Sequence, residues 1–262
     1  MTTLHATDGH GQETGPSYFE NFARWLNVAT ETARETGALL RAHWRRPHTV
    51  HSKGYRDIVT ESDLAAEQLI LSRLRAAFPD HAITSEEAGA DAGDARVRWL
   101  IDPLDGTTNF AHHNPNFCVS IAAAENGRPV VGVIYDPLRD ELFAARRGGG
   151  ATLNGAPLRT SGATALDTAT FSADWPRDPA LRAELWQLVG TLLPRARTLR
   201  CLGSAALNMV YVAAGRLDLY LARTLSPWDQ GAAALIVQEA GGVLGTLAGV
   251  PWALARPDPV AA

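Results

Sequence analysis

The residues best able to do chemistry in this chain are carboxylates at the ends of apolar runs. Asp63 closes "VTESD", Glu86 and Glu87 close "TSEE", Asp102 and Asp105 open "DPLDGTT", and Asp229 stands in "SPWDQGAAA". None has a His or Cys beside it that would point to zinc. Oxygen-only donors suit hard cations such as Mg²⁺ or Mn²⁺. Carboxylates buried together repel, and hold their protons unless a cation neutralises them. Mg²⁺ usually shares a few carboxylates with water and substrate phosphate oxygens, so the pattern points to metal-assisted phosphate chemistry. A blander reading competes at each position, because an Asp at a strand end is commonly a turn residue or a helix cap. Asp102 stands before Pro103, and Asp229, after Pro227-Trp228, reads as the N-cap of a helix over 230–240.

These groups need elements to hold them. Ser17-Tyr18-Phe19-Glu20 is a capping-box pattern. It predicts a long helix to about Arg45, with Phe19, Phe22, Trp25, Leu26 and Ala29 at helical spacing. A polar segment, 46–62, leads to a second helix with Leu64, Leu71, Leu74 and Phe78 on one face, closed by "FPD". Strand signals follow in "AIT" (82–84), "RWLI" (98–101), "CVSIAAA" (118–124), "PVVGVIYD" and "ELFAA". Asn126-Gly127 and Asn154-Gly155 are tight-hairpin signals, so 98–158 reads as an antiparallel meander. Beyond Pro157, strands around Phe171, around Leu199, in "LDLYL" and in "GGVLGT" alternate with helices over about 180–190, 204–214 and 229–240. That alternation is the mark of a layered α/β arrangement. The expected fold class is α/β with an α+β first half. Residues 1–16 read as a disordered tail and 17–262 as one domain, its halves (about 17–158 and 159–262) sharing one active site.

Composition sets bounds. The 262 residues are 46% apolar and 20% charged, ordinary for a soluble globular protein with a sizeable core. A net charge of −4 argues against a broad basic surface for nucleic acid. The polar N-terminus shows no secretory signal, and no apolar run is long enough to cross a membrane. Cys118 and Cys201 lie in apolar contexts and read as buried, reduced thiols of a cytoplasmic protein, although spacing alone leaves a bridge between them open. Of 24 basic residues only Lys53 is a lysine, a position where a compact ammonium differs from a planar guanidinium.

The Asp102–Asp105 spacing also separates two phosphatase chemistries. Haloacid-dehalogenase-type enzymes carry Asp-x-Asp-Gly-Thr near the N-terminus, with the first Asp as covalent nucleophile. Here two residues, Pro103 and Leu104, separate the aspartates, and the motif lies a hundred residues in. The chain instead resembles the inositol monophosphatase family of Mg²⁺-dependent, lithium-sensitive phosphatases. "WLIDPLDGTTNF" is close to that family's first signature and "PWDQGAAALIVQEAGGVL" to its second; "DIVTESD", "SEE" and "LGSAALNMVYVAAGRLDLYL" fall in order around them.

The resemblance implies a layered αβαβα sandwich of the sugar-phosphatase type and two to three Mg²⁺ ions, with Mn²⁺ a possible substitute. Glu86, Asp102 and the Leu104 carbonyl match the tighter metal site. Asp102, Asp105 and Asp229 match the second, with Asp102 bridging. A third, weaker ion would lean on Glu86 and water. Thr107 and Glu86 match the pair that orients and activates the attacking water, and Asp63 the partner that holds Thr107. The phosphate would lie against the N–H groups of Gly106 and Thr107. Gly203, Ser204 and Ala205 match the segment lining the pocket for the substrate's alcohol part. Lys53 falls near the family's active-site lysine, with an interval to "DIVT" one residue shorter than in animal members.

Two departures bear on substrate and assembly. Inositol-specific members carry a glutamate seven residues before the Trp-Asp aspartate. This chain has Ala222 there, followed by Arg223, which could suit a second phosphate or another anion. The "R-x-L-x-P-W-D" form is similar to Gram-positive-type bacterial members. The chain also stops at "DPVAA", where family members usually add a helix. The expected substrate is a small phosphorylated polyol or sugar, inositol-1-phosphate first. Fructose 1,6-bisphosphate, NADP(H), histidinol phosphate and 3′-phosphoadenosine-5′-phosphate are rivals. Some bacterial relatives partner the transcription machinery, so an interaction protein retaining the fold is the alternative from another class. Neither nucleic acid nor membrane is an expected partner, and the resemblance implies a homodimer.

Overall fold

The structure, a computed structural model, describes residues 16–91 and 94–262. The expected tail therefore lies almost wholly outside the described residues. The first described element is helix α1 (Pro16–His43), so Ser17 falls inside the first turn and not at a cap, and the helix stops two residues before Arg45. The polar segment that follows carries a hairpin that its composition does not announce, β1 (Val50–Gly54) and β2 (Asp57–Thr60). Thr60 caps α2 (Glu61–Ala77) in a capping box with Asp63. The buried face of α2 is Ser62, Asp63, Ala66, Glu67, Ile70 and Leu74. Leu64, expected on that face, is 50% exposed, because two buried carboxylates take the stripe that an apolar count assigns to leucine.

Next come β3 (His81–Ser85), β4 (Gly89–Ala90), β5 (Asp94–Asp105), the short α3 (Thr107–Ala111), β6 (Cys118–Glu125), β7 (Arg128–Asp136), β8 (Glu141–Arg146), β9 (Ala151–Leu153) and β10 (Ala156–Pro157). They build one eight-stranded sheet in the order β10-β9-β8-β7-β6-β5-β3-β4. From β5 to β10 it is the antiparallel meander expected, while β3 joins β5 in parallel. Asn126-Gly127 and Asn154-Gly155 both have positive φ at both residues, the backbone of a tight primed turn.

The second half supplies β11 (Thr170–Ala173), α4 (Pro179–Leu192), β12 (Thr198–Arg200), α5 (Ala205–Ala213), β13 (Leu219–Leu221), α6 (Pro227–Glu239), β14 (Leu244–Thr246) and β15 (Pro259–Ala261). Its five-stranded sheet runs β12-β11-β13-β15-β14. The final "DPVAA" contributes β15, an interior strand between β13 and β14.

Side-chain alternation along the central strands assembles five layers. Trp99, Ile101, Val119, Ile121 and Val133 face α1 and α2. Leu100, Ala122, Ile134 and Phe143 face α5 and α6, whose other side meets Tyr220 and Ala222 of the second sheet. Phe171, Ala173 and Leu221 face α4. The order is α1α2, sheet, α5α6, sheet, α4: the αβαβα sandwich expected. The "GAAA" run of α6 buries small residues against the first sheet; a Cβ at Gly132 of β7 would stand 2.6 Å from the Ala232 carbonyl oxygen. Among the described residues no helix is long and apolar enough to cross a membrane.

Candidate functional site

A β-bulge builds the centre. In a regular strand Asp102 and Asp105, three apart, would face opposite sides of the sheet. Here Asp102 pairs with Ser120 and Asp105 with Cys118, so three steps on β5 oppose two on β6. The extra residue turns both carboxylates to the α5/α6 side, as bulges beside active sites do. Pro103 sits inside the bulge, where its missing N–H costs the ladder nothing. Gly106 ends the strand at φ 95°, and a Cβ there would stand 2.7 Å from the Asn116 carbonyl oxygen.

Both carboxylates line a cavity of about 750 Å³, together with Glu86, Leu104, Gly106, Thr107, Gly203, Ala205, Arg223 and Asp229. Three expected residues stand behind the wall. Asp63 is buried and reaches the cavity only by way of Thr107, whose hydroxyl donates to Asp63 Oδ1 at 2.9 Å and also lies 3.1 Å from the Leu104 carbonyl. Asp63 is held in turn by the Thr60 N–H (2.8 Å) and hydroxyl (2.6 Å). Lys53 reaches Glu86 at 3.2 Å and Glu87 at 2.6 Å. Ser204 is the one that departs from expectation: it is buried, and its hydroxyl donates to Asp105 at 2.6 Å while capping α5, so it holds a wall residue and does not line the pocket.

Burial and mutual charge set the protonation of these carboxylates. Burial pushes Asp102 well above the usual carboxylate range, and the charges of Glu86, Asp105 and Asp229 add to it. Asp105 is raised to about 6, again mainly by burial, although the Ser204 hydroxyl and the Ala206 N–H (2.7 Å) at the start of α5 oppose the shift. Asp229 is pushed up to about 8 by burial and by Asp105, against its bond from the Ser226 N–H at 2.6 Å. That bond makes Asp229 the third residue of α6 in a capping box. The N-cap is Ser226, which corrects the sequence reading of Asp229 as the cap. Asp63 rises to about 6 because burial outweighs its three hydrogen bonds. Burial alone would lower Lys53, but its bond to Glu87 and the charges of Glu86 and Glu87 raise it overall.

Among the described residues, no three His, Cys, Asp or Glu side chains are drawn together tightly enough to hold an ion as they stand. One oxygen of Asp102 accepts the Leu104 N–H at 3.1 Å, and Asp105 is turned onto α5. The donor set is all oxygen, with carboxylates crowded into one cavity, which fits Mg²⁺.

Several residues at the cavity escaped sequence reasoning. Asp174, at the end of β11, accepts from the Gly203 N–H (3.0 Å), Asn208 (2.6 Å) and the Tyr220 hydroxyl (3.0 Å). It carries the same signal as the others, a carboxylate closing an apolar strand in "TFSAD". Arg56 and Arg182 line the cavity with Arg223. Trp175 and Arg177, which the sequence offers as candidates for a pocket mouth, line it too, and Arg177 pairs with Asp57 at 2.8 Å. Arg223 pairs with Glu184 and lies 3.7 Å from Asp258. Cys118 is buried, but Cys201 is exposed at the cavity, contrary to expectation, and both are free thiols.

Known proteins carry the same layout. "Nus factor SuhB" of Escherichia coli (strain K12) is 44% identical over 228 residues, covering 86% of this chain and 85% of that protein. "Inositol monophosphatase 1" of Solanum lycopersicum is 41% identical over 227 residues, covering 84% and 83%. The crystal structure of extragenic suppressor protein suhB from Bartonella henselae matches with a TM-score of 0.88 at 35% identity, over 91% of this chain and 93% of that one. The sequence profile of the inositol monophosphatase family matches residues 21–262, a span that takes in every candidate site residue described above. Fold, motif order and this match agree: the chain belongs to the inositol monophosphatase family.

Proposed function

We propose that this chain is a Mg²⁺-dependent phosphomonoesterase that hydrolyses a small phosphorylated polyol or sugar, inositol-1-phosphate foremost, by direct attack of water on phosphorus. The observation that carries the reading is one cavity lined by Glu86, Asp102, Asp105 and Asp229, with Thr107 fixed by a buried Asp63 at its edge. Glu86, Asp102, the Leu104 carbonyl, Asp105 and Asp229 would hold the ions. Bound Mg²⁺ supplies Lewis acidity, which lowers the pKa of water and offsets charge on the phosphate and the departing alkoxide. With its proton committed to Asp63, the Thr107 hydroxyl offers lone pairs that accept a hydrogen bond from the attacking water and fix its direction, the water's other proton pointing to Glu86. Glu86 takes the other role, receiving that water's second proton as it attacks. Gly106 leaves the backbone bare where the phosphate must approach. Gly203, Ala205 and Arg223 face the alcohol portion, and Ser204 supports them through Asp105.

A phosphate-release panel tests this, using inositol-1-phosphate, fructose 1,6-bisphosphate, NADP, histidinol phosphate and 3′-phosphoadenosine-5′-phosphate with Mg²⁺, with and without Li⁺. Release that is Mg²⁺-dependent and lost in Asp102→Asn supports the proposal; no such release from any substrate refutes it. The name of the bacterial relative, Nus factor, favours a second reading, an interaction protein of the transcription machinery that keeps the fold. Calorimetric titration separates the two. Folded protein that takes up no Mg²⁺ at millimolar concentration favours the interaction role. Light scattering tests the accompanying homodimer reading.

A further inference from the structure

We propose that Glu67 is a positioning residue, and that one face of α2 sets the interval between the two groups handling the attacking water. The proposal rests on the phosphatase reading above. Glu67 is 7% exposed, does not line the cavity, and lies one helical turn beyond Asp63. The two carboxylates are thus stacked about 6 Å apart along the same helix face. Asp63 holds the Thr107 hydroxyl. Glu67 does the equivalent for Glu86, through the backbone. Its Oε1 accepts from the Ser85 hydroxyl, from the Glu87 N–H at 3.1 Å and from the Ala88 N–H at 2.8 Å. Those three donors flank Glu86, whose own N–H is fixed by the Ile101 carbonyl at 3.1 Å.

A buried carboxylate costs free energy unless it is bonded, and three donors converging on one oxygen offset that cost. Satisfying a turn would need only some acceptor. What singles out Glu67 is its helix. Any shift of α2 carries the Asp63 hold on Thr107 and the Glu67 hold on 85–88 together. The spacing of Thr107 and Glu86 is then preserved while the helix breathes. The apolar pattern expected here (Leu64 inward) hides this, because the inward stripe is carboxylate at 63 and 67 and apolar at 66, 70 and 74.

The test compares Glu67→Ala and Glu67→Gln with wild type in the full chain. Glu67→Ala strips the acceptor, so kcat should fall about 10- to 100-fold while KM changes little, as expected for sub-ångström to ångström misplacement of a catalytic group. Glu67→Gln keeps an acceptor oxygen and should recover kcat to within about 3-fold of wild type. Amide hydrogen exchange at Glu87 and Ala88 gives a readout free of substrate: protection lost in Glu67→Ala and regained in Glu67→Gln. Folded Glu67→Ala with wild-type kcat, or with unchanged protection at Glu87 and Ala88, overturns the proposal. A kcat loss that merely tracks loss of folded protein, unrelieved in Glu67→Gln, overturns it too. If wild type cleaves no phosphomonoester the phosphatase reading fails, and the exchange arm still decides whether Glu67 holds the turn.

Discussion

The crowding of carboxylates makes a stability prediction that needs no substrate. The perturbation is to raise pH in chelator, with divalent cations absent. Asp63 and Asp105 have folded-state values near 6, against 3.8 for an unperturbed Asp. Between those values the folded chain still holds protons that the unfolded chain has released, so stability falls as pH rises through the window. From about pH 5 to about pH 7, each group accounts for roughly 1 kcal/mol of loss. Two such groups lower Tm by about 4–8 °C in a chain of this size. Asp229, pushed up to about 8, carries the decline further into the alkaline range. Mg²⁺ competes with protons for the same oxygens, so its stabilisation should grow with pH. Scanning calorimetry across pH, with chelator and then with millimolar Mg²⁺, measures both slopes. Asp105→Asn should flatten the chelator slope and shrink the Mg²⁺ gain. A chelator Tm that is level or rising across this range, or a Mg²⁺ gain equal at every pH, would refute the charge argument.

Three further outcomes follow from single contacts. Thr107→Val keeps the shape but removes the hydroxyl bonded to Asp63; kcat should drop about 10²- to 10⁴-fold with KM nearly unchanged, and a steady-state assay showing a loss in KM alone contradicts the water-orienting role. Gly106→Ala places a Cβ 2.7 Å from the Asn116 carbonyl at φ 95°, so urea unfolding should show a loss of about 1–3 kcal/mol, and an unmoved midpoint would deny the strain. Arg223→Ala removes a cation from the cavity wall, and should raise KM about 10-fold for a bisphosphate while sparing a monophosphate; equal effects on both would remove Arg223 from substrate choice.

Much of the fold was legible because the strands of the first sheet are apolar and punctuated by Asn-Gly turns. The helices of the second half lie where alternation places them. The β1–β2 hairpin was not legible, since every residue of β1 is exposed and periodicity has nothing to report there. Asp102, Asp105 and Asp229 stood out as residues at element ends, but their convergence depends on a bulge at Pro103 and on a capping box at Ser226. Neither announces which way a carboxylate turns. The family resemblance places Ser204 in the pocket lining with Gly203 and Ala205, and only the folded structure shows that it is buried and that its hydroxyl serves Asp105. Asp174 has the same local signal as Asp102, yet no sequence feature ties the end of β11 to the start of α5.

The site is therefore a property of how layers approach one another, and small residues govern that approach. Asp229 enters the cavity from the first turn of α6, so its distance to Asp102 depends on how closely α6 lies on the first sheet. Gly132 permits backbone contact with Ala232, where a Cβ would meet the carbonyl oxygen at 2.6 Å. Ser120, paired with Asp102 across β6, donates to the Trp228 carbonyl at 3.3 Å, one residue before Asp229. On the other flank α5 starts against Asp105, and its position is fixed by Asp174 through Gly203 and Asn208. Asn109 closes the frame, its amide donating to Asn116 in the first half and to Leu202 in the second at 2.7 Å each. No hydrogen bond joins Glu86, Asp102, Asp105 or Asp229 to another of these four. What brings them to one cavity is the packing of glycine and alanine and the satisfaction of backbone donors at helix starts, forces that act whether or not an ion is bound.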